Sequence, residues 1–144
     1  MYLNKVILIG RLTRDPQMRS LPSGKSVATF GLATNRVFVD KSGQKKEETQ
    51  FHNIVLFGRL AEIASQYLKK GGLAMIEGRL RTRNWQDSQG NQHSRTEIVG
   101  QSLQLGPRAA GQVIPQGAEE ESAQEEIPII EEEEEEIDVS QIPF

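Results

Sequence analysis

The sequence predicts an all-β domain that contains one helix and is followed by a disordered acidic tail. Three observations support this prediction. Five segments rich in β-branched, aromatic and aliphatic residues are separated by turns that contain Gly or Pro. Between the third and fourth of them, residues 60–72 have apolar residues at helical spacing. After Gly106-Pro107 this patterning ends and acidic residues predominate, a composition too poor in core residues to fold.

The N-terminal half of the chain supplies three of the strands. They are predicted at residues 3–12, 27–34 and 49–57. Residues 13–26 contain two prolines and a glycine and are predicted to form a long turn, whereas residues 41–47, with one glycine and three lysines, are predicted to form an exposed hairpin tip. We find no internal repeat in the part that is expected to fold.

The helix and the last two strands follow. The helix has an apolar stripe at positions i, i+3, i+4, i+7 and i+8 that starts at Leu60, and Gly71 can cap its end. Strands are predicted at 73–85 and 95–105, around a turn at 87–92. Three strands, one helix and two strands are the order of an OB-fold, a five-stranded Greek-key barrel with a helix between strands 3 and 4. Small α+β sheets have the same content, so the pattern leaves both folds open.

The charge is divided unequally along the chain. Residues 1–108 hold all 17 Lys and Arg and only 8 acidic residues, whereas residues 109–144 hold 12 acidic residues and no basic one. A basic body indicates a polyanionic ligand, and a separate acidic tail indicates a separate role. We therefore predict a folded domain over residues 1–106 and a disordered linker and tail over 107–144.

Several classes of protein are disfavoured by the composition. The chain has no cysteine, and His52 and His93 stand alone, so neither a disulfide nor a metal site is expected. No glycine-rich phosphate loop precedes the helix. We expect no enzyme and no cofactor. No targeting segment or membrane span is recognisable, so a soluble intracellular protein is expected.

The predicted fourth strand carries the strongest binding signal. Side chains alternate between the faces of a strand. One face is expected to point to the core and holds Ala74, Ile76, Gly78 and Leu80. The other face holds three arginines and the only tryptophan: Arg79, Arg81, Arg83 and Trp85. Arginine neutralises phosphate and an indole stacks on an unpaired base, so this face predicts nucleic-acid binding, with a merely solvated face as the alternative.

Other aromatic residues extend this prediction. Phe51 and Phe57 share one face of the third strand, and Phe38 precedes the basic hairpin tip. Phe30 lies between two apolar residues of the same face and is expected in the core. Phe57 remains open between core and surface, because residues 53–57 are largely apolar on both faces.

Three segments and the C-terminus resemble the bacterial-type single-stranded DNA-binding proteins. The segments are NKVILIGRL, FHNIVLFGRLAEIASQYLKKG and EGRLRTRNWQD, together with the terminal IPF. The resemblance implies an OB-fold, a homotetramer, and binding of single-stranded DNA with little sequence preference in replication, recombination and repair. It also implies a cytoplasmic, nucleoid-associated protein that needs no cofactor.

The resemblance assigns roles to individual residues as well. It implies base stacking on Phe38, Phe51, Phe57 and Trp85, with phosphates followed by Lys41, Arg59 and Lys70 beside the arginines of the fourth strand. It also implies that the first strand forms a dimer contact near His52. Phe38 and Phe51 stand where many members have tryptophan, and Asn53 and Asn84 stand where a basic residue is common, so weaker binding is expected.

The tail is expected to recruit other proteins. Ile142-Pro143-Phe144, with the terminal carboxylate, suits a partner pocket that offers an apolar socket and a basic wall, and the resemblance implies replication, recombination and repair proteins as partners. The internal Ile127-Pro128-Ile129 is either a spacer or a second, weaker dock. Two other functions of the body remain open: an RNA-binding OB-fold and a protein-interaction module.

Overall fold

The computed structural model describes residues 1–107 and the backbone of residues 130 and 131. Most of the predicted tail, including its tip, lies outside the described residues, so its domain boundary and disorder stay predictions. The elements are β1 (Val6–Leu12), β2 (Gln17–Ser20), β3 (Ser26–Val39), β4 (Lys45–Phe57), α1 (Arg59–Tyr67), β5 (Leu73–Gln86), β6 (Gln92–Leu105) and β7 (Ile130–Glu131).

Five of these strands close into a barrel. β1, β5, β6, β4 and β3 follow one another in the sheet, and β1 also pairs with β3. Every pairing around the ring is antiparallel except that of β4 with β6, which is parallel at residues 54–55 and 98–99. With one helix between β4 and β5, this closed barrel confirms the predicted OB-fold.

The interior of the barrel holds the main core. Phe30 is fully buried, as predicted, and the inner faces of β3, β4 and β5 contribute the other large side chains. The helix covers the core with Leu60, Ala61 and Ala64. Gly58, with φ of 60°, turns the chain from β4 into this helix, in a backbone region that other residues rarely adopt.

Several predicted boundaries are wrong: β3, β4 and β6 extend beyond the predicted 27–34, 49–57 and 95–105, and two further differences have a structural cause. The segment 13–26 contains the strand β2, which pairs with the edge of β3. The helix ends at Tyr67, before the predicted cap at Gly71, because Leu68 already has an extended backbone while its side chain still packs in the core. The composition of this segment shows the Pro and Gly of a turn, but it does not show that residues 17–20 pair with β3.

Leu80 is the one core prediction on β5 that is wrong, since its side chain is 48% exposed while Ala74 and Ile76 are fully buried. A bulge between Glu77 and Gly78 marks the region where β5 leaves the barrel. From Arg81 and Glu97 outward, β5 and β6 continue as a two-stranded hairpin, because β1 pairs with β5 only as far as Gly78 and β4 pairs with β6 only at Ile98 and Val99. Alternation assigns a side chain to a face, but it does not show whether the barrel still lies under that face.

Candidate nucleic-acid interface

Two long hairpins extend from the barrel, and their ends share one pattern of residues. The first arm is residues 36–46 of β3 and β4, RVFVDKSGQKK, and the second arm is residues 83–93 of β5 and β6, RNWQDSQGNQH. Each has an arginine, an aromatic residue, an aspartate, a glycine and a cation or imidazole at the same spacing. The matched pairs are Arg36 and Arg83, Phe38 and Trp85, Asp40 and Asp87, Gly43 and Gly90, and Lys46 and His93.

The shared aspartate and glycine build the same turn in both arms. Asp40 Oδ1 accepts the backbone N–H groups of Ser42 and Gln44, both at 2.9 Å. The Oδ1 atom of Asp87 accepts those of Gln89 and Asn91, also at 2.9 Å. Such bonds are the Asx turns that aspartate favours. Gly43 and Gly90 have φ of 81° and 84°, which explains why glycine stands at this position in each turn.

These bonds also affect both carboxyl groups. The pKa of Asp40 is lowered, first by a hydrogen bond from the Ser42 hydroxyl and then by the backbone of Gln44. The pKa of Asp87 is lowered first by its hydrogen bond to His93 and then by the backbone of Asn91. Both carboxylates therefore remain charged at neutral pH.

In each arm an aromatic ring lies opposite the cationic position on the neighbouring strand. Phe38 pairs with Lys46 in the sheet, and Trp85 pairs with His93. The rings of Trp85 and His93 are stacked, with centroids 5.6 Å apart and an angle of 24° between their planes. Lys46 Nζ lies 3.2 Å from the Asp40 carboxylate.

The matched arginines cover these aromatic rings. The guanidinium carbon of Arg36 lies 5.2 Å from the centroid of the Phe38 ring, and that of Arg83 lies 5.2 Å from Trp85. Both distances are in the range of cation–π interactions. Each arm therefore presents an aromatic ring between an arginine and a lysine or histidine.

A buried glutamate anchors the second arm. Arg83 donates to both carboxylate oxygens of Glu97, from Nε at 3.0 Å and from Nη2 at 2.6 Å, and Arg81 Nη2 donates to Oε2 at 3.1 Å. The side chain of Glu97 is 5% exposed and those of Arg81 and Arg83 are 12% exposed. Burial alone would raise the pKa of Glu97, but the two guanidinium groups outweigh it and lower the pKa below its usual value.

This geometry corrects one expectation about the fourth predicted strand, that three arginines lie on an exposed face. Only Arg79 is fully exposed, whereas Arg81 and Arg83 are mostly buried and share the charge of Glu97. The physical reason is the register, in which Glu97 lies directly opposite Arg81 on the same face. Arg81 also covers Phe57, its guanidinium carbon lying 5.7 Å from the ring centroid.

A cavity of about 290 Å³ opens beside this ion-paired cluster. Five arginines and one glutamate line it: Arg14, Arg19, Arg81, Arg83, Arg95 and Glu97. Val27, Val55 and Phe57, which belong to a second, smaller core cluster, form part of its apolar wall. Phe57 is thus a core residue and a wall of the cavity at once, being 6% exposed. Basic groups around an apolar wall suit a base attached to a phosphate.

The other predicted site residues lie apart from this cavity. Phe51 is 71% exposed on β4, and Lys41 is exposed in the turn of the first arm. Arg59 opens α1 and Lys70 follows its end, and neither lines the cavity or belongs to an arm. His52 is half-buried, with Nε2 2.8 Å from the Thr34 hydroxyl, as expected for an interior or interface histidine.

Sequence reasoning misses six residues of this surface: Arg14, Arg19, Lys46, His93, Arg95 and Glu97. Two of them lie in a segment interpreted as a turn, and Arg95 and Glu97 begin the fifth predicted strand. A signal for the others exists in the sequence, because the spacing of Arg, aromatic, Asp, Gly and cation is the same in residues 36–46 and 83–93. Comparing the two predicted hairpin tips with each other would have found it.

Neither a metal-ligating cluster nor a membrane-spanning helix occurs among the described residues. Within 1–107 no group of three or more His, Asp or Glu side chains is placed to hold a metal ion. The helix that the structure describes in this range is too short to cross a membrane.

Proteins with similar sequences are named single-stranded DNA-binding proteins. Residues 3–106 match the family model of the single-strand binding protein family. The single-stranded DNA-binding protein of Neisseria meningitidis is 48% identical over 105 residues, or 73% of this chain. The one from Helicobacter hepaticus is 51% identical over 102 residues, or 71% of this chain. The chain covers 60% of the length of each of these relatives.

Solved structures show the same fold. The Plasmodium falciparum SSB in complex with ssDNA matches with a TM-score of 0.65 and 36% identity, over 69% of this chain and 87% of that one. A deletion mutant of the single-stranded DNA binding protein from Thermus aquaticus matches with a TM-score of 0.61 and 34% identity, over 72% of this chain and 56% of the other.

Proposed function

This chain belongs to the single-strand binding protein family, and we propose that its OB-fold domain, residues 1–106, binds single-stranded DNA with little sequence preference. The observation that carries the proposal is the pair of arms together with the cavity, since each combines aromatic rings with arginines. Stacking contributes about 1–3 kcal/mol per base and tolerates every base, because each base has a π face. No step requires a catalytic group or a cofactor.

The proposed contacts follow from exposure and chemistry. Bases stack on Phe38, Phe51 and Trp85, and one base enters the cavity against Phe57. Phosphates pair with the exposed cations, which are Lys41, Arg59, Lys70 and Arg79, and with Arg81 and Arg83. Bound strand is thereby kept from re-pairing, which serves replication, recombination and repair in the cytoplasm.

Titration of the protein with oligo-dT, followed by the fluorescence of Trp85, tests this proposal. We expect quenching that saturates at a fixed number of nucleotides, because the ring of the only tryptophan stacks on bases. The slope of affinity with salt, about −0.7 per phosphate contact, counts the ionic contacts. Unchanged fluorescence and no retention of DNA on a filter would overturn the proposal, and equal affinity for oligo-U would favour an RNA-binding protein.

We also propose that the chain forms a homotetramer that uses β1. The side chains of Ile7 and Ile9 are 57% and 61% exposed, although they lie on a strand of the barrel. Covering such side chains with a second copy would remove apolar surface from water. Sedimentation of the wild type and of Ile9→Glu tests this, since the charged variant should dissociate to a smaller species. An unchanged mass would exclude β1 as a contact.

The tail, residues 107–144, is proposed to recruit replication, recombination and repair proteins through Ile142-Pro143-Phe144. Its 12 acidic residues are tethered to a basic body, so they should compete with DNA at high effective concentration. Truncation after Glu126 should strengthen DNA binding at low salt and abolish recruitment. Deletion of Phe144 alone asks whether Ile127-Pro128-Ile129 is a second dock, because residual recruitment would require one.

A further inference from the structure

The second arm differs from the first at one position whose charge depends on pH. Lys46 stands at this position in the first arm and His93 in the second, and histidine as a residue type changes its charge between about pH 5 and 8. Both lie opposite the aromatic ring of their arm, and both are bound to the aspartate of the turn. The shared geometry indicates that Lys46 and His93 have the same role in their arms.

The hydrogen bond to Asp87 determines which nitrogen of His93 can change. Nε2 lies 2.8 Å from Asp87 Oδ2, and a carboxylate only accepts hydrogen bonds, so Nε2 carries a proton in both charge states. In the neutral ring Nδ1 is therefore an acceptor, which a phosphate oxygen repels. Protonation converts Nδ1 into a donor, and no residue within 1–107 accepts a hydrogen bond from it.

The surroundings favour an anionic ligand at this nitrogen. The charged groups on this face of the hairpin are Asp87 from the turn, Arg83 from β5 and Arg95 from β6. Arg83 is bound to Glu97 and Arg95 donates to Asn53, so His93 is the outermost cationic position next to Trp85. Its side chain is 46% exposed, which leaves it accessible to a bound strand.

We propose that His93 is a DNA-contacting residue that makes the second arm pH-dependent. The inference rests on the proposed binding of single-stranded DNA. When a base stacks on the Trp85–His93 pair, the protonated imidazole donates from Nδ1 to the neighbouring phosphate. The second arm then binds single-stranded DNA more tightly at pH 5.5 than at pH 7.5, while the first arm, with Lys46, binds equally at both.

Exchanging the two side chains tests the inference. We expect the wild type to bind oligo-dT about three- to fivefold more tightly at pH 5.5 than at pH 7.5, the size of an exposed ion pair. His93→Lys should bind tightly at both pH values, and His93→Gln weakly at both. Lys46→His should bind more weakly at pH 7.5 and depend on pH more steeply than the wild type. Thymine has no group that titrates in this range, so the ligand itself does not change.

The chain provides a matched control, because His52 is its other histidine. His52 is bound to Thr34 and lies outside both arms, so His52→Gln should retain the pH dependence of the wild type. A pH dependence that survives in His93→Lys, or that disappears in His52→Gln, would overturn the role of His93. Absence of any pH dependence in the wild type would do the same. Failure of the wild type to bind oligo-dT at either pH would instead overturn the proposed function.

Discussion

The two arms have one turn and one arrangement of side chains, but only the second is anchored in the barrel. In the first arm, Arg36 is 74% exposed and lies 3.9 Å from Glu48, which is 48% exposed. In the second, the matching Arg83 forms two hydrogen bonds with Glu97, and both side chains are nearly buried. The same short pattern therefore places an exposed arginine beside the ring of one hairpin and a nearly buried, ion-paired arginine beside the ring of the other.

This difference shows that the turn residues determine the shape of each hairpin end, whereas the neighbouring strand of the barrel determines how deeply the arginine is buried. The Asp–Gly turn is local, so eleven residues are enough to repeat it. The position of the arginine depends on the neighbouring strand, and Glu97 is buried where β6 re-enters the barrel, whereas Glu48 lies on an exposed part of β4. A buried ion pair is sensitive to the loss of one partner, since the other charge is then left without compensation.

The largest expected effect is on stability. Glu97→Ala leaves Arg81 and Arg83 buried without their shared carboxylate, and we expect a loss of about 3–5 kcal/mol in the free energy of unfolding. Glu48→Ala removes an exposed ion pair and should change it by less than about 0.5 kcal/mol. Urea unfolding of both variants at one protomer concentration measures this. Equal losses would show that the two arms are anchored alike.

A smaller effect is expected on DNA binding when each ring is removed. Trp85→Ala should weaken binding of oligo-dT by about 2–3 kcal/mol and Phe38→Ala by about 1 kcal/mol, because the indole is larger and is already held by Arg83 and His93. Fluorescence anisotropy of a labelled oligonucleotide gives both values without the tryptophan signal. If Phe38→Ala costs as much as Trp85→Ala, then neither the larger ring of Trp85 nor its contacts with Arg83 and His93 strengthen stacking.

The stability of the protein at acidic pH should also depend on the Glu97 ion pairs of the second arm. The pKa of Glu97 is lower in the folded protein than its usual value of about 4.3, so its contribution is complete above that value and is lost as pH falls through the lowered pKa. Glu97→Gln should therefore be less stable than the wild type at pH 7, and this difference should shrink as the pH falls below 4. Thermal melts from pH 7 to pH 2 measure it, with Glu48→Gln as the control. A constant difference across this range would contradict the assignment.

The sequence predicts the features that depend on neighbouring residues, and it misses those that depend on the pairing of distant strands. Alternation and helical spacing predict five strands and the helix, because both depend on neighbours in sequence. They place Arg81, Arg83 and Trp85 on one face correctly. They miss that Glu97 neutralises two of these arginines, since that depends on the register of β5 against β6. They also misplace Leu80, whose exposure depends on where the hairpin leaves the barrel.

The smallest expected effect concerns the two aspartates, which are partly exposed and whose carboxyl pKa values are lowered for different reasons. In the first arm the main cause is the hydroxyl of Ser42, a residue of the turn itself, and Lys46 contributes less. In the second arm the main cause is His93, which lies beyond the turn. We therefore expect Lys46→Gln to raise the pKa of Asp40 only slightly, and His93→Gln to raise that of Asp87 clearly.

Carboxyl carbon NMR titration of both variants distinguishes these cases, with Ser42→Ala as the variant that should raise the pKa of Asp40 most. If the two glutamine variants gave equal shifts, the aspartate of each arm would be held by its turn alone. His93 would then be bound to Asp87 without affecting it. The expected inequality means that the second arm couples the charge of its turn to the ring that stacks on Trp85, whereas the first arm keeps turn and cation separate.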